Sequence, residues 1–170
     1  MDATPRIRRE QPDDVEAIHA VTIAAFDTAP HTSRTEQFIV RALRGTGHLA
    51  VSLVAELDGR IVGHVAASPV TIDDGTPGWY GLGPVSVAPQ WQGRGLGSRL
   101  VRAALAELRE LGARGCLLVG EPGYYGRFGF RAEPQLVYPG VPPQYFQALC
   151  LEGALPAGVV TFDPAFQAQA

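Results

Sequence analysis

The chain has 170 residues, 46% of them apolar and 18% charged. That balance suits one globular domain spanning residues 1–170 and excludes a disordered or fibrous chain. The net charge of −3, with fourteen basic residues that are all arginine and form no run, excludes a general attraction to nucleic acid. Arg6–Arg9 carries a short strand pattern, and Gln11-Pro12-Asp13-Asp14 opens a helix with Val15, Ile18, Val21, Thr22, Ala25 and Phe26 on its apolar face. After a loop over residues 27–32, Ser33-Arg34-Thr35-Glu36 reads as a capping box for a second helix that ends before Gly45. Leu49–Leu57 and Arg60–Ser68 form a hairpin through Asp58-Gly59, a type I′ turn signal. Residues 71–78 are a loop, and Trp79–Val87 is the central strand.

From Gly97 onward, Leu100, Val101, Ala104, Leu105, Leu108 and Leu111 recur at helical spacing until Gly112 ends the pattern. Cys116–Val119 is an unbroken apolar run that suits a buried strand parallel to Trp79–Val87, since strand, helix and strand make a βαβ unit. Pro122–Phe128 is a short helical turn. Phe130–Tyr138 and Tyr145–Leu151 are two further strands that would suit a homodimer edge, and the tail from Val159 is an edge segment. Cys116 and Cys150 lack CxxC spacing and read as reduced core thiols, and with no apolar signal or membrane-spanning run a cytoplasmic protein is expected.

The most informative stretch lies between the central strand and its helix, Gln92-Gly93-Arg94-Gly95-Leu96-Gly97-Ser98. Three spaced glycines let the backbone turn tightly and admit a bulky ligand close to the amides. A helix N-terminus adds unpaired N–H groups and positive dipole potential, so the loop is an anion site, with Arg94 and Arg99 nearby. The P-loop pattern needs a lysine, which the chain lacks, and the dinucleotide fingerprint needs its last glycine one residue later. Downstream, Tyr125-Gly126-Arg127-Phe128-Gly129-Phe130 follows the buried strand.

A strand ending in Val-x-Pro, a Gln-x-x-Gly-x-Gly loop and a Tyr-x-x-φ-Gly-Phe turn, in that order, resemble the GNAT acetyl-CoA-dependent N-acetyltransferases. The longer run Gly-x-Pro-x-Tyr-Tyr-x-Arg-Phe-Gly-Phe is similar to their YhbS-like branch. The resemblance covers nearly the whole chain. It implies an α/β fold with a central mixed, splayed sheet of about six to seven strands and about four helices. It also implies acetyl-CoA as cosubstrate, with pantetheine along Val85, Ser86 and Val87 and pyrophosphate on the amides of Gln92, Gly93, Arg94, Gly95, Leu96, Gly97 and Ser98. Tyr125 would protonate the departing thiolate, since a phenol stays protonated at neutral pH. Glu121, just past the buried strand, is the first candidate for general base, and His64 is the second. The acceptor, an amine of a small molecule or protein, would lie among residues 27–34, 73–78 and 138–145. A non-catalytic acyl-CoA-binding module and transfer to a hydroxyl or thiol are the competing readings.

Overall fold

The computed structural model describes residues 3–170, so Met1 and Asp2 lie outside it. In chain order the elements are β1 (Arg6–Arg9), α1 (Val15–Asp27), α2 (Glu36–Thr46), β2 (Val51–Leu57), β3 (Arg60–Pro69), β4 (Thr71–Ile72) and β5 (Trp79–Val87). They continue with α3 (Leu96–Glu110), β6 (Gly115–Val119), α4 (Pro122–Tyr125), β7 (Leu136–Val137), β8 (Phe146–Cys150) and β9 (Gly158–Thr161). Six strands form one mixed sheet in the order β1-β2-β3-β5-β6-β8, and β4, β9 and β7 form a second, small one. Among the described residues no helix is long and apolar enough to cross a membrane.

The Asp58-Gly59 turn has positive φ at both residues, 50° and 77°, as a type I′ hairpin requires. It sets β2 against β3. The periodic leucines of α3 bury one face of the main sheet: Leu100, Val101, Ala104 and Leu108 pack with Leu53, Val65 and Val51. Across the sheet Ile18 of α1 and Val40 of α2 close on Val54. A strand therefore has both faces covered, which is why β3 buries seven consecutive residues from Val62 to Ser68.

The functional consequence lies between β5 and β6. They pair in parallel only over Trp79–Gly81 and Gly115–Leu117. Beyond that point β5 stays with β3 as far as Val87, while β6 stays with β8 along its whole length. The sheet therefore splays. Against β3, Val65 faces Val85 but Ala67 faces Leu82, so β5 carries one extra residue, a bulge at Gly83-Pro84.

Several expectations from the sequence are corrected. Helix α2 runs through Gly45 to Thr46 and stops at Gly47, the first glycine there with positive φ, 78°; glycine in a helix costs stability but does not end it. The box at Ser33–Glu36 does not form: Thr32 and Ser33 donate their hydroxyls to the Glu36 carboxylate, and no side chain caps α2. The loop at 71–78 contains β4. Residues 130–138 are mostly irregular, because Pro134 has no N–H and the Leu136 amide turns back to the Glu133 carbonyl at 3.0 Å. The tail strand β9 is interior, flanked by β4 and β7 and held by Asp73 and Asp74, whose carboxylates accept the Val159 and Ala157 amides at 2.8 and 3.1 Å. Cys116 is buried as expected, but Cys150 is exposed.

Two glycines separate packing from propensity. A Cβ on Gly115 would overlap the buried Trp79 ring, whereas one on exposed Gly45 would meet nothing within 4 Å. Gly115→Ala should cost about 1–3 kcal/mol in urea unfolding, as overpacking does. Gly45→Ala should add about 0.5–1 kcal/mol.

Candidate active site

A short turn at Pro89–Trp91 ends β5, and Gln92 Nε2 then donates to the Val87 carbonyl at 3.0 Å. The Ala88 amide bonds the Val62 carbonyl at 2.9 Å. Antiparallel alternation therefore aims the Ser86 backbone at β3 and the Val85 and Val87 backbones at the open side of the splay. Gly93 and Gly95 have φ of 76° and 82°, and a Cβ on either would meet no atom within 4 Å. Glycine takes that conformation without strain and leaves the outer face of the loop bare.

The first bond inside α3 runs from the Arg99 amide to the Gly95 carbonyl at 3.2 Å, and no side chain caps the helix. The amides of Leu96, Gly97 and Ser98 thus have no helical partner, and the dipole makes their end electropositive. A cavity of about 350 Å³ opens over them, bounded by Val87, Trp91, Gln92, Gly93, Gly95 and Leu96–Ser98 and closed by Tyr124 and Arg127. The Leu96 side chain points into the core, so only its backbone serves the cavity. Arg94 lies over the Trp91 ring at 4.9 Å. Arg99 turns away and donates to the Pro5 carbonyl at 2.8 Å. Arg127, which the sequence reading passed over, is the arginine that lines the cavity. It sits in the Tyr-x-x-φ-Gly-Phe turn, and its spacing from Tyr124 was the available signal: it donates to the Tyr124 carbonyl at 2.9 Å and covers that ring at 4.5 Å.

The two tyrosines divide their work. Tyr124 Oη and Ser98 Oγ are 3.1 Å apart, which ties α4 to the start of α3. Tyr125 packs edge-on against Tyr124 and Phe130, with ring centroids at 4.8 and 6.1 Å, and covers Gly120, where a Cβ would lie 2.5 Å from its ring. Burial, with a smaller contribution from Tyr124, pushes its phenol up to about 12. Glu121 is exposed at the start of α4, where its carbonyl accepts the Tyr124 and Tyr125 amides at 3.1 and 3.0 Å; its side chain lines neither this cavity nor the next.

A second cavity, of about 210 Å³, lies at the other end of the splayed segment. Leu82, Gly83 and Pro84 of the bulge and Val119 of β6 form its floor, and Phe26, Ile39, Tyr138, Phe162 and Phe166 its walls, with Glu36 as its one charged residue. Of the segments expected to hold the acceptor, 27–34 contributes no lining residue, although Phe26, Glu36 and Ile39 on either side of it do, and 138–145 contributes Tyr138 alone. Residues 73–78 instead serve β9, and two phenylalanines of the C-terminal segment take their place.

His64 is fully buried on β3, with Nε2 2.8 Å from Ser52 Oγ. Ser52 donates to Glu10 at 2.6 Å, and Arg44 grips the same carboxylate at 2.7 and 2.9 Å. Burial, opposed by the Glu10 charge and reinforced by Arg44, lowers His64 from 6.5 to about 4. It is a neutral core histidine at pH 7 and lines neither cavity. Below 6.5 the unfolded chain takes up a proton that the folded chain refuses until about pH 4, so this group removes stability as pH falls through that window. Between about pH 7 and about pH 4.5, wild type should lose about 2 kcal/mol more unfolding free energy than His64→Gln. Equal losses in urea titrations would contradict a lowered His64.

The family model described as "Acetyltransferase (GNAT) family" matches residues 15–130. The "Uncharacterized N-acetyltransferase YhbS" of Escherichia coli K12 is 37% identical over 125 residues, 73% of this chain and 72% of that protein. Among solved structures, a GNAT family acetyltransferase from Brucella melitensis in complex with acetyl-CoA has a TM-score of 0.85 and 48% identity, covering 95% of this chain and 97% of the other. The Escherichia coli YhbS structure in complex with CoA has a TM-score of 0.87 and 32% identity over 98% and 95% of the two chains. The family match spans the helix pair, the splayed strand, the glycine loop and the tyrosine turn together, and the chain belongs to the GNAT acetyltransferase family.

Proposed function

We propose that residues 1–170 act as one acetyl-CoA-dependent N-acetyltransferase domain that joins cosubstrate and amine in a single ternary complex. The observation that carries this reading is the row of unpartnered amides at Leu96–Ser98, bared by two positive-φ glycines at the end of a splayed strand. A diphosphate fits such a cradle: it is doubly anionic, and the amides and helix dipole are fixed donors that need no reorganisation. Val85 and the amide of Val87 present free backbone groups that a pantetheine arm can pair with, the Val87 carbonyl being taken by Gln92. The acetyl-CoA in the Brucella melitensis relative and the CoA in YhbS support the same ligand here.

Bound acetyl-CoA supplies a thioester carbonyl. In the overall transfer the acceptor nitrogen forms the new C–N bond, the C–S bond breaks, one nitrogen proton is released and the sulfur gains one. The open backbone N–H at Val85 is the donor we assign to the carbonyl oxygen as charge develops there. Tyr125 is the donor we assign to the departing sulfur. Its raised pKa keeps the proton on the phenol at neutral pH, available to the sulfur as the C–S bond breaks. The exposed carboxylate of Glu121 can take the nitrogen proton only through solvent. An amine that arrives neutral needs no more than that.

Two substitutions test this reading. Gly95→Val places a branched side chain where the backbone must meet the ligand and should weaken CoA binding at least tenfold by calorimetry, with the circular dichroism spectrum retained. Unchanged affinity would remove the phosphate assignment. Tyr125→Phe should lower kcat at least tenfold while the Kd of acetyl-CoA stays within about twofold, the pattern of an interaction made as the bond breaks. Binding of acetyl-CoA with no turnover of any amine would leave an acyl-CoA-binding module.

A further inference from the structure

The second cavity contains a charge without a countercharge. Glu36 is 9% exposed, and among the described residues no arginine or histidine lies within ion-pair distance of it. Its two oxygens accept hydroxyl hydrogen bonds from Thr32 and Ser33. A carboxylate offers about four acceptor sites, so half remain for another partner. A buried carboxylate is costly unless a cation or further donors meet it. Nearby Arg34 is already spent on Asp27, with its side chain 3.2 Å from that carboxylate.

The rest of the cavity is apolar and largely aromatic. Phe26, Tyr138, Phe162 and Phe166 line the cavity together with Glu36, with Gly83 and Pro84 at the bulge where β5 leaves β6. Tyr138 and Phe162 hold each other edge-to-face at 4.9 Å, and Phe162 is braced by Phe166 at 5.2 Å, so the walls are a rigid cluster. The space, about 210 Å³, is small for a folded-protein segment but large enough for one ring and a short alkyl chain.

From this we infer, on the acetyltransferase reading above, that the acceptor is a small monocationic amine with an aromatic or bulky apolar body, its ammonium group recognised by Glu36 and its nitrogen attacking as the neutral amine once that ammonium has passed one proton to the carboxylate or to solvent. The rings beside Glu36 displace part of the water around the single ion pair, which strengthens it, and their faces favour a cation near the rim. A second cationic group further along the molecule would be buried among rings without an anion, so linear polyamines are rejected. A neutral isostere leaves Glu36 unmet and is rejected for the complementary reason. Glu36 is thus a specificity-determining residue. The sequence presented it as a helix-capping acid, and only the fold turns it toward the cavity.

The test uses wild-type protein, acetyl-CoA and four probes: 2-phenylethylamine, n-propylamine, spermidine and a lysine-containing peptide, with 2-phenylethanol as neutral competitor. We expect kcat/KM for 2-phenylethylamine to exceed that of each other amine at least tenfold, and no competition from the alcohol. Glu36→Gln keeps the shape and one acceptor oxygen for the hydroxyls. It should raise KM for 2-phenylethylamine at least tenfold with acetyl-CoA affinity unchanged, which a merely structural role in α2 would not produce selectively. If spermidine or the peptide is the better substrate, or if Glu36→Gln leaves KM unaltered, the inference is overturned while the acetyltransferase reading stands. If acetyl-CoA binds and no amine turns over, that reading falls. Calorimetry of 2-phenylethylamine with the CoA-bound protein then decides the pocket separately, and absence of binding there overturns the inference as well.

Discussion

Everything at the site depends on β5 having neighbours of unequal length. β3 accompanies it to Val87, but β6 leaves after three residues to follow β8. A strand in the middle of a sheet normally has both edges saturated, and one that loses a neighbour leaves polar backbone groups without partners. Here the orphaned edge is not at the rim of the sheet but in its interior, walled by α3 on one side and α1 on the other. The bulge at Gly83-Pro84 sharpens the departure by adding a residue to β5. A binding cleft therefore arises from strand pairing alone, before any side chain is considered.

What holds that opening in place is packing at both ends, with one polar contact, between Ser98 and Tyr124, across it. Trp79, fully buried over Gly115, fixes the start of the short stretch over which β5 and β6 pair. The aromatic group at Tyr124, Tyr125, Phe128 and Phe130 does the same at the other end, by anchoring α4 against α3. The polar chain from Arg44 through Glu10 and Ser52 to His64 lies on the far side of β3 from the opening. Its charges are paired with each other, and this is why His64, a reasonable base by residue type, is held neutral and away from both cavities.

The glycine loop over the first cavity was legible in the sequence and the lining of the second cavity was not, and the reason is physical. Phosphate recognition uses backbone, so it leaves a mark in the chain wherever backbone must be bare: Gly93 and Gly95 fall at the two positions of positive φ before α3. Strand β5 was legible to the residue for a related reason, since alternation and a terminating proline both act locally. The second cavity is assembled from α1, α2, β5, β6, Tyr138 and a segment beyond β9. No local pattern joins Phe26 to Phe166. Glu36 illustrates the difficulty: near a helix start an acid is expected on dipole grounds alone, and its second role appears only when Phe162 and Tyr138 are brought opposite it. Strand β9 was misplaced as an edge for the same cause, because its partners β4 and β7 are two-residue strands with no periodicity to read.

The two cavities also differ in electrical sense, and that difference orders the reaction. One end of the open strand offers N–H donors, a helix N-terminus and Arg127; the other offers a single carboxylate among rings. An anionic cosubstrate and a cationic acceptor are thereby drawn to opposite ends of the same strand. From Pro84 to Val87 is three residues, roughly 10 Å at the rise of a strand. This is a distance for an uncharged arm to cover, and Val85 and Val87 line it with apolar side chains and, save for the Val87 carbonyl that Gln92 holds, open backbone. On the proposed reading the bond exchange falls between the two ends once the nitrogen has lost its charge. There the Val85 N–H and the Tyr125 phenol assigned to it would carry more weight than they do in water.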